Sequence, residues 1–316
     1  MMTPDAGRRL RLALAAIWLL DAALQYQPFM FTKAFGQSLA ESAQGNPAVI
    51  ADPITWSAGI VEHNPVVTNA AFATIQLLLA IGIAWRPTVK LALAASVAWS
   101  VAVWWLGEGL GGVLAGGASL WDGAPGAVII YALLAVLLWP ADRDDSALFV
   151  AGRPFGRLPA RLLWLVLWGS MAFFALQAES AAPQGLHDML SSMASGEPGW
   201  VASIDHGAAT LVAQHGQQAS ACFAVVFEVI AIGIFLPERA ARGAVILAIA
   251  AATVLWVSQD FGEIFTGSAT DPDTGPLLVL LAAAFWSPRK PSGAQSTATP
   301  PAAGATLPAG AASTAA

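Results

Sequence analysis

The chain has 316 residues, of which 57% are hydrophobic and only 11% are charged, whereas about 25% of the residues of a soluble domain are charged. This composition excludes a water-soluble globule and indicates an all-α, polytopic transmembrane helical bundle. The net charge of −6 argues against a nucleic-acid partner, because no basic stripe neutralises phosphates. The single cysteine, Cys222, excludes disulfides and four-cysteine metal sites, so any redox role requires a borrowed cofactor.

Long apolar runs predict the membrane-spanning helices, because about 20 apolar residues cross a hydrocarbon core of about 30 Å. In chain order the predicted spans are 12–31, 65–86, 89–107, 124–140, 161–178, 214–236, 240–258 and 275–287. The fourth and the eighth predicted spans are short, so a total of six or seven spans is an alternative to a total of about eight.

The basic residues indicate the orientation. With eight spans, 13 of the 14 lysines and arginines lie on one side of the membrane, and only Lys33 lies on the other. Cytoplasmic segments carry the excess of Lys and Arg, so we expect both termini inside and a multi-pass location in the plasma membrane. Residues 291–316 are uncharged and consist almost wholly of Ala, Pro, Gly, Ser and Thr, which predicts a disordered cytoplasmic tail.

An internal repeat organises the spans. When the sequence is compared with itself at a shift of 151 residues, Trp105 falls on Trp256 and Pro125 falls on Pro276 without a gap. We interpret the chain as a doubled four-helix unit. Each unit has an even number of spans, so the two are expected to insert the same way up, as a parallel repeat. The expected domains are 1–147 for the first unit and 148–290 for the second.

Acidic residues crowd on the side opposite the basic ones. Thirteen carboxylates lie there with a single lysine, and all four histidines lie at or near the same face. Two interpretations remain open. Acids are free to stay outside once basic residues are held inside, or the carboxylates form a vestibule that concentrates cations.

An acid–histidine pair follows a tryptophan in each half: Glu62-His63 in the first and Asp205-His206 in the second. Imidazole and carboxylate together bind divalent metals, or the acid fixes a histidine tautomer for proton transfer. Interfacial hydrogen bonding is the plainer alternative. Adjacent residues of a helix point in different directions, so neither pair chelates a metal by itself, and no metal site is assigned.

Two acids, Asp21 and Glu228, lie inside predicted spans, each about 12–15 Å from the cytoplasmic end at about 1.5 Å per residue. Gln76 lies close to the repeat-equivalent position of Glu228 and is about as deep. Ionisable groups in hydrocarbon usually mark a cavity, a proton relay or a substrate path. The alternative is that each is neutral and hydrogen-bonds a neighbouring helix as a structural clamp.

The stretch from Phe223 to Arg242, with Glu228, Gly233 and Pro237, resembles the second span and turn of DoxX/DoxD-type membrane proteins. The resemblance implies four-helix units that serve as membrane subunits of redox systems, including oxidation of sulfur compounds coupled to quinone. This chain departs from the pattern by doubling the unit and by having Gln76 where the first copy would carry the acid. The resemblance therefore implies that the second half carries any activity.

These observations predict a membrane subunit of a redox system that passes electrons from a thiol or sulfur compound to quinone. A redox partner protein or reductant would dock on the extracytoplasmic face, and whether the chain is itself an enzyme stays open. The alternatives are a proton- or cation-coupled small-solute transporter and a non-catalytic scaffold subunit. The candidate site residues are Asp21, Gln76, Glu228, Glu62, His63, Asp205 and His206.

Overall fold

A computed structural model describes residues 5–116, 118–140, 149–177, 184–194, 197–259 and 261–287. All regular structure in these ranges is helical. The junction expected at 147–148 and the tail expected at 291–316 lie outside them.

The described ranges contain twelve α-helices. Their bounds are α1 (Ala6–Leu24), α2 (Lys33–Glu41), α3 (Ala48–His63), α4 (Pro65–Ala84), α5 (Val89–Leu106), α6 (Ala127–Leu137), α7 (Arg157–Ala175), α8 (Gly185–Met193), α9 (Gly199–Val212), α10 (Gly216–Gly233), α11 (Glu238–Gln259) and α12 (Thr274–Ala284). Five of them, α4, α5, α7, α10 and α11, are long and apolar enough to cross a membrane.

The outward faces of these long helices are apolar. Leu78 of α4 is 61% exposed, and Val166 of α7, Val225 of α10 and Ile246 of α11 are exposed as well. Soluble monomers rarely leave such broad apolar surface uncovered. Together with helix length, the exposed faces identify a helical membrane protein.

The first helix differs from its prediction. A span at 12–31 was expected, but α1 begins at Ala6 and ends at Leu24, and Pro28–Phe31 forms a separate 3-10 turn. Gln27 is extended, as the residue before a proline tends to be, and this ends the helix. The predicted bounds are wrong because apolar residues continue past the helix end.

The two short helices, α6 and α12, lie at the centre of the molecule. Each has 11 residues, which is about 16 Å at about 1.5 Å per residue. They pack on each other, and Tyr131, Leu134, Leu277 and Leu281 are almost fully buried there. Because protein surrounds them, α6 and α12 need not be long enough to match a bilayer by themselves.

Helix contacts recur in the same order in the first half, α1–α6, and in the second half, α7–α12. In the first half α1 packs on α4, α4 on α5, and α5 on α6; in the second half α7 packs on α10, α10 on α11, and α11 on α12. Adding 151 to the bounds of α1–α5 gives the bounds of α7–α11 to within two residues. The halves meet where α12 contacts α6 and α1.

Helices α2 and α3 pack as a hairpin against the ends of α4 and α5, and we call this pair the cap. The two helices approach closely at Gly36, where a Cβ atom would lie 2.7 Å from the backbone nitrogen of Glu62. A small apolar cluster, Met30, Phe35 and Val61, fills the space under the cap. The corresponding pair in the second half is α8 and α9.

Candidate functional site

Helices α1 and α4 each present a mixed polar and aromatic face to a common cavity. Trp18, Asp21 and Gln25 follow one another at spacings of three and four residues, so they share one face of α1. Phe72 and Gln76 share a face of α4 in the same way. All five side chains line the cavity.

This inner cavity has a volume of about 340 Å³, which is at the small end of the range for ligand sites. Its walls are aromatic: Trp18, Phe35, Phe72, Trp99 and Tyr131 line it. The rings of Trp18 and Tyr131 lie 4.3 Å apart between centroids, and Phe72 meets Trp99 edge to face at 5.5 Å. A planar ring is the guest that such walls accommodate best.

Several polar atoms in the inner cavity lack partners. Asp21 is only 1% exposed and Gln76 8%. The atoms Asp21 Oδ1, Gln25 Oε1, Gln76 Oε1 and the Tyr131 hydroxyl are buried and make no hydrogen bond of good geometry within the described residues. The Tyr131 ring lies next to the Asp21 carboxyl. Buried polar atoms are nearly always hydrogen-bonded, so these four are available to a bound molecule.

A second, polar cavity of about 650 Å³ adjoins the first, and we call it the vestibule. Five acidic side chains line it: Glu41, Glu108, Glu263, Asp271 and Asp273. Glu108, Thr270 and Asp271 line both the vestibule and the inner cavity. These three residues therefore form the boundary between a polar and an apolar space.

Glu108 is held at the start of α6. Its Oε1 atom accepts a hydrogen bond from the Val128 N–H at 3.2 Å, which caps one of the free donors of the helix. Gly126 has a φ of +105°, and a side chain there would overlap the Glu108 carboxylate. Burial and the nearby charge of Asp271 raise the pKa of Glu108 well above its usual value.

Asp273 has a matching place at the start of α12, where its carboxylate accepts a hydrogen bond from the Thr274 N–H. The Asp271 Oδ1 atom in turn accepts from the Asp273 N–H at 2.7 Å. Burial, followed by repulsion from Asp271, raises the pKa of Asp273 to about 7. The vestibule thus carries a carboxyl group, that of Asp273, which exchanges its proton near neutral pH.

The second half has no such polar face at the equivalent positions. At the shift of 151, Asp21 corresponds to Ala172 and Gln76 to Phe227. Phe227 is fully buried, with its ring centroid 5.8 Å from that of Trp168 and 6.0 Å from that of Phe223. Large rings occupy in the second half the space that stays open in the first. The inner cavity therefore lies in the first half, whereas the resemblance to DoxX/DoxD proteins implied activity in the second half.

The two acids expected inside the bundle differ in their surroundings, because Asp21 is buried and Glu228 is not. Glu228 is exposed on α10, and the buried neighbours on that helix are Phe227 and Ile230. It lines neither cavity. Asp21 lies 15 residues beyond the start of α1 instead of about ten, because the helix begins earlier than predicted.

In each acid–histidine pair the acid is more buried than the histidine. Glu62 is partly buried in the cap and accepts a hydrogen bond from Gln37 at 3.4 Å, while His63 is exposed. Asp205 is buried and His206 is exposed, so these two neighbours point apart. Across the part of the chain that the structure describes, His, Cys, Asp and Glu form no group of three suited to a metal ion.

Asp205 instead interacts with Glu197, a residue that sequence reasoning did not select. Burial, then the hydrogen bond and charge of Asp205, raise the pKa of Glu197 to about 7, and burial raises the pKa of Asp205. When one of the two is protonated, the carboxyl groups share that proton. The loop before α9 brings them together, and spacing alone does not predict this contact.

Sequence reasoning also missed Tyr131, Glu108 and Asp271 as site residues. One signal was present for Tyr131, since it is one of two tyrosines and lies in a predicted span. The two acids lie in glycine-rich and proline-rich loops far apart in sequence. They meet only because α6 and α12 pack side by side.

No family model, curated protein or solved structure matches this chain. The resemblance to DoxX/DoxD proteins therefore stays a prediction.

Proposed function

We propose that the chain crosses the plasma membrane with eight helices arranged as two parallel four-helix units, with both termini in the cytoplasm. The recurring helix pairs and the shared 151-residue spacing support the repeat. The short α6 and α12 complete the units because neighbouring helices cover them. In this arrangement the vestibule opens to the outer face, and Arg86 and Lys90, which flank the connection between α4 and α5, face inward.

We propose further that the first unit binds the head ring of a quinone in the inner cavity, as the membrane part of a redox system. The observation that carries this proposal is an aromatic-walled cavity that also contains buried polar atoms without a hydrogen bond of good geometry, the side-chain oxygens of Gln25 and Gln76 among them. A quinone and its reduced form fit this set, because the Tyr131 hydroxyl can donate to a carbonyl oxygen of the planar quinone. The oxygens of Asp21, Gln25 and Gln76 can accept from the hydroxyl groups of the quinol. When bound, the quinone supplies two-electron chemistry that consumes or releases two protons.

The residues of the chain would hold and orient such a ring. Trp18 and Trp99 supply apolar faces that exclude water, and the side-chain carbonyl oxygen of Gln76 would accept a hydrogen bond from a hydroxyl group of the reduced ring. The Tyr131 hydroxyl would donate to a carbonyl oxygen of the quinone. Asp21 holds a proton next to Tyr131 and releases it when charge develops on the guest.

Protons would reach this site from the vestibule. Glu108 and Asp271 border both spaces, and Asp273 lies behind them with a pKa of about 7. A carboxyl group with a pKa near the working pH is suited to passing protons in either direction. Electrons would come from a thiol or sulfur compound that a partner presents at the outer face, two per quinone.

The test is a titration of the purified protein with a short-chain ubiquinone analogue. Quenching of tryptophan fluorescence measures the binding. Gln76→Phe introduces the residue that fills the equivalent space in the second half, and it is expected to weaken binding at least tenfold. Glu228→Gln is the matched control, because Glu228 lies outside both cavities. Equal affinities in the two variants would remove the inner cavity from the proposal.

Proton- or cation-coupled transport is the second candidate, and the acidic vestibule favours it. Cations gathered there would pass Glu108 toward Asp21. Uptake of a solute into proteoliposomes that Asp21→Asn abolishes, with unchanged quinone affinity, would support transport over redox function.

A further inference from the structure

A third cavity lies at the other end of α1 from Asp21. It has a volume of about 260 Å³ and lies between the first turns of α1 and the junction of α4 with α5. Three arginines line it, Arg8, Arg11 and Arg86, together with one acid, Asp5. It shares no lining residue with the inner cavity or the vestibule.

The one acid in this arginine cavity is already paired. Both oxygens of Asp5 accept hydrogen bonds from Arg153 Nη1, at 3.1 and 2.9 Å. Arg11 Nη1 donates to the carbonyl oxygen of Leu138 at 3.2 Å, which fixes its guanidinium in place. Arg8 and Arg86 form no ion pair with any carboxylate of the described ranges. The cavity therefore has an excess of positive charge.

A helix end adds donors to the same place. Val89, the first residue of α5, lines the cavity. Thr88 does not cap this helix, because its hydroxyl donates to the Gly82 carbonyl oxygen at 2.8 Å. The first N–H groups of α5 are thus available to an anion, and the helix dipole favours negative charge there.

Exposed apolar side chains flank the arginine cavity. Leu12 lines it and is 39% exposed. Trp85 stands in the chain between the lining residues Ala84 and Arg86, and Leu91 follows the lining residue Val89 by two positions; they are 61% and 74% exposed. Arginine forks match phosphate oxygens, and basic pockets beside membrane helices bind acidic lipid head groups. We propose that this cavity binds the phosphate group of an anionic membrane lipid, whose acyl chains lie along Leu12, Trp85 and Leu91.

Thermal unfolding of the full chain in detergent tests this proposal, with dioctanoyl phosphatidylglycerol as the probe. The probe is expected to raise the Tm of the wild type saturably. Arg86→Gln and Arg8→Gln should each raise the half-saturating concentration at least tenfold, and Arg86→Lys less than threefold. Arg239→Gln is the matched control, since it removes one exposed charge outside the cavity.

Two results would overturn the assignment of this site. Either an equal response of Arg86→Gln and Arg239→Gln, or equal stabilisation by dioctanoyl phosphatidylcholine, would show that the arginine cavity does not select an anionic head group. Inorganic phosphate at matched ionic strength distinguishes a lipid head group from a free phosphate ion as the ligand. If phosphate alone stabilises the wild type as strongly as the lipid does, a soluble ligand replaces the lipid and the proposal is wrong.

Discussion

Asp21 is buried beside aromatic rings, and a carboxyl group in such a place is costly unless it is neutral or hydrogen-bonded. It lies on the same face of α1 as Trp18 and Gln25 and opposite Gln76 of α4. The sequence identified Asp21 and Gln76 because polar residues interrupt apolar runs there. It could not identify Glu108 or Asp271, because loop acids look alike until helix packing shows which of them border a cavity.

The carboxyl pair Glu197–Asp205 predicts a pH effect on stability. Burial raises both pKa values in the folded protein, and the hydrogen bond and charge of Asp205 raise that of Glu197 further, to about 7. The folded state thus binds more protons than the unfolded state between about pH 4.5 and 7. The stability that this pair contributes is fully present below pH 4.5 and is lost as the pH rises to 7.

Asp205→Asn should flatten this pH dependence, because Glu197 then loses its charged neighbour. At pH 8 the variant is expected to gain on the order of 1 kcal/mol, a value reduced because Glu197 is partly exposed to water. Thermal unfolding in detergent from pH 5 to pH 8 measures this gain in stability. Asp188→Asn, which replaces an exposed acid, is the control. Parallel curves for wild type and Asp205→Asn would show that the pair does not titrate.

At the scale of helices, the long apolar spans were predictable and the amphipathic pairs were not. Every predicted span overlaps a helix of the structure, since length and hydropathy suffice for that. The cap, α2 and α3, has no long apolar run, and its position depends on contacts with α4 and α5 that spacing does not encode. The end of α1 was misplaced for a local reason, the turn that begins at Pro28.

Close packing within the cap gives a prediction for Gly36. A methyl group there meets the backbone of Glu62, which cannot move aside as a flexible side chain would. Gly36→Ala is expected to destabilise the protein by about 1–3 kcal/mol and to weaken quinone binding, because Phe35 moves with the helix. Gly59→Ala, also in the cap, has open space around its Cβ and should stabilise the protein by about 0.5–1 kcal/mol, because alanine favours a helix interior over glycine.

Thermal unfolding measures the stability of the two glycine variants, and the fluorescence titration measures their quinone affinity. Similar losses in the Gly36 and Gly59 variants would mean that the α2–α3 contact does not hold the cap in place.

At the scale of the whole molecule, the two halves share helix order and differ in their interiors. Ring side chains such as Phe227 fill the second half, while Gln76 and Asp21 border open space in the first. Two halves with the same helix order, of which the first borders a cavity, are consistent with one half binding a ligand and the other supporting it. Asp271, from the second half, completes the boundary of the first-half cavity, so the halves are expected to act as one protein.

The proposed orientation predicts a labelling pattern in intact cells. In a Cys222→Ala background, Gln44→Cys in the vestibule should react with a membrane-impermeant maleimide. Arg239→Cys at the start of α11 should react only after the cells are permeabilised, because it lies on the basic side. The reverse pattern would invert the membrane orientation and place the vestibule inside.

The proposed function depends on binding of a planar, hydrogen-bonding ring in the inner cavity of the first half. Photolabelling of the intact protein with an azido-quinone, followed by peptide mapping, tests it most directly. We expect adducts on the residues of α1, α4 and α5 that line the cavity, Trp18, Phe72 and Trp99 among them. An excess of unlabelled quinone should remove these adducts. Adducts that fall instead on α7 and α10, or that excess quinone does not remove, would contradict it.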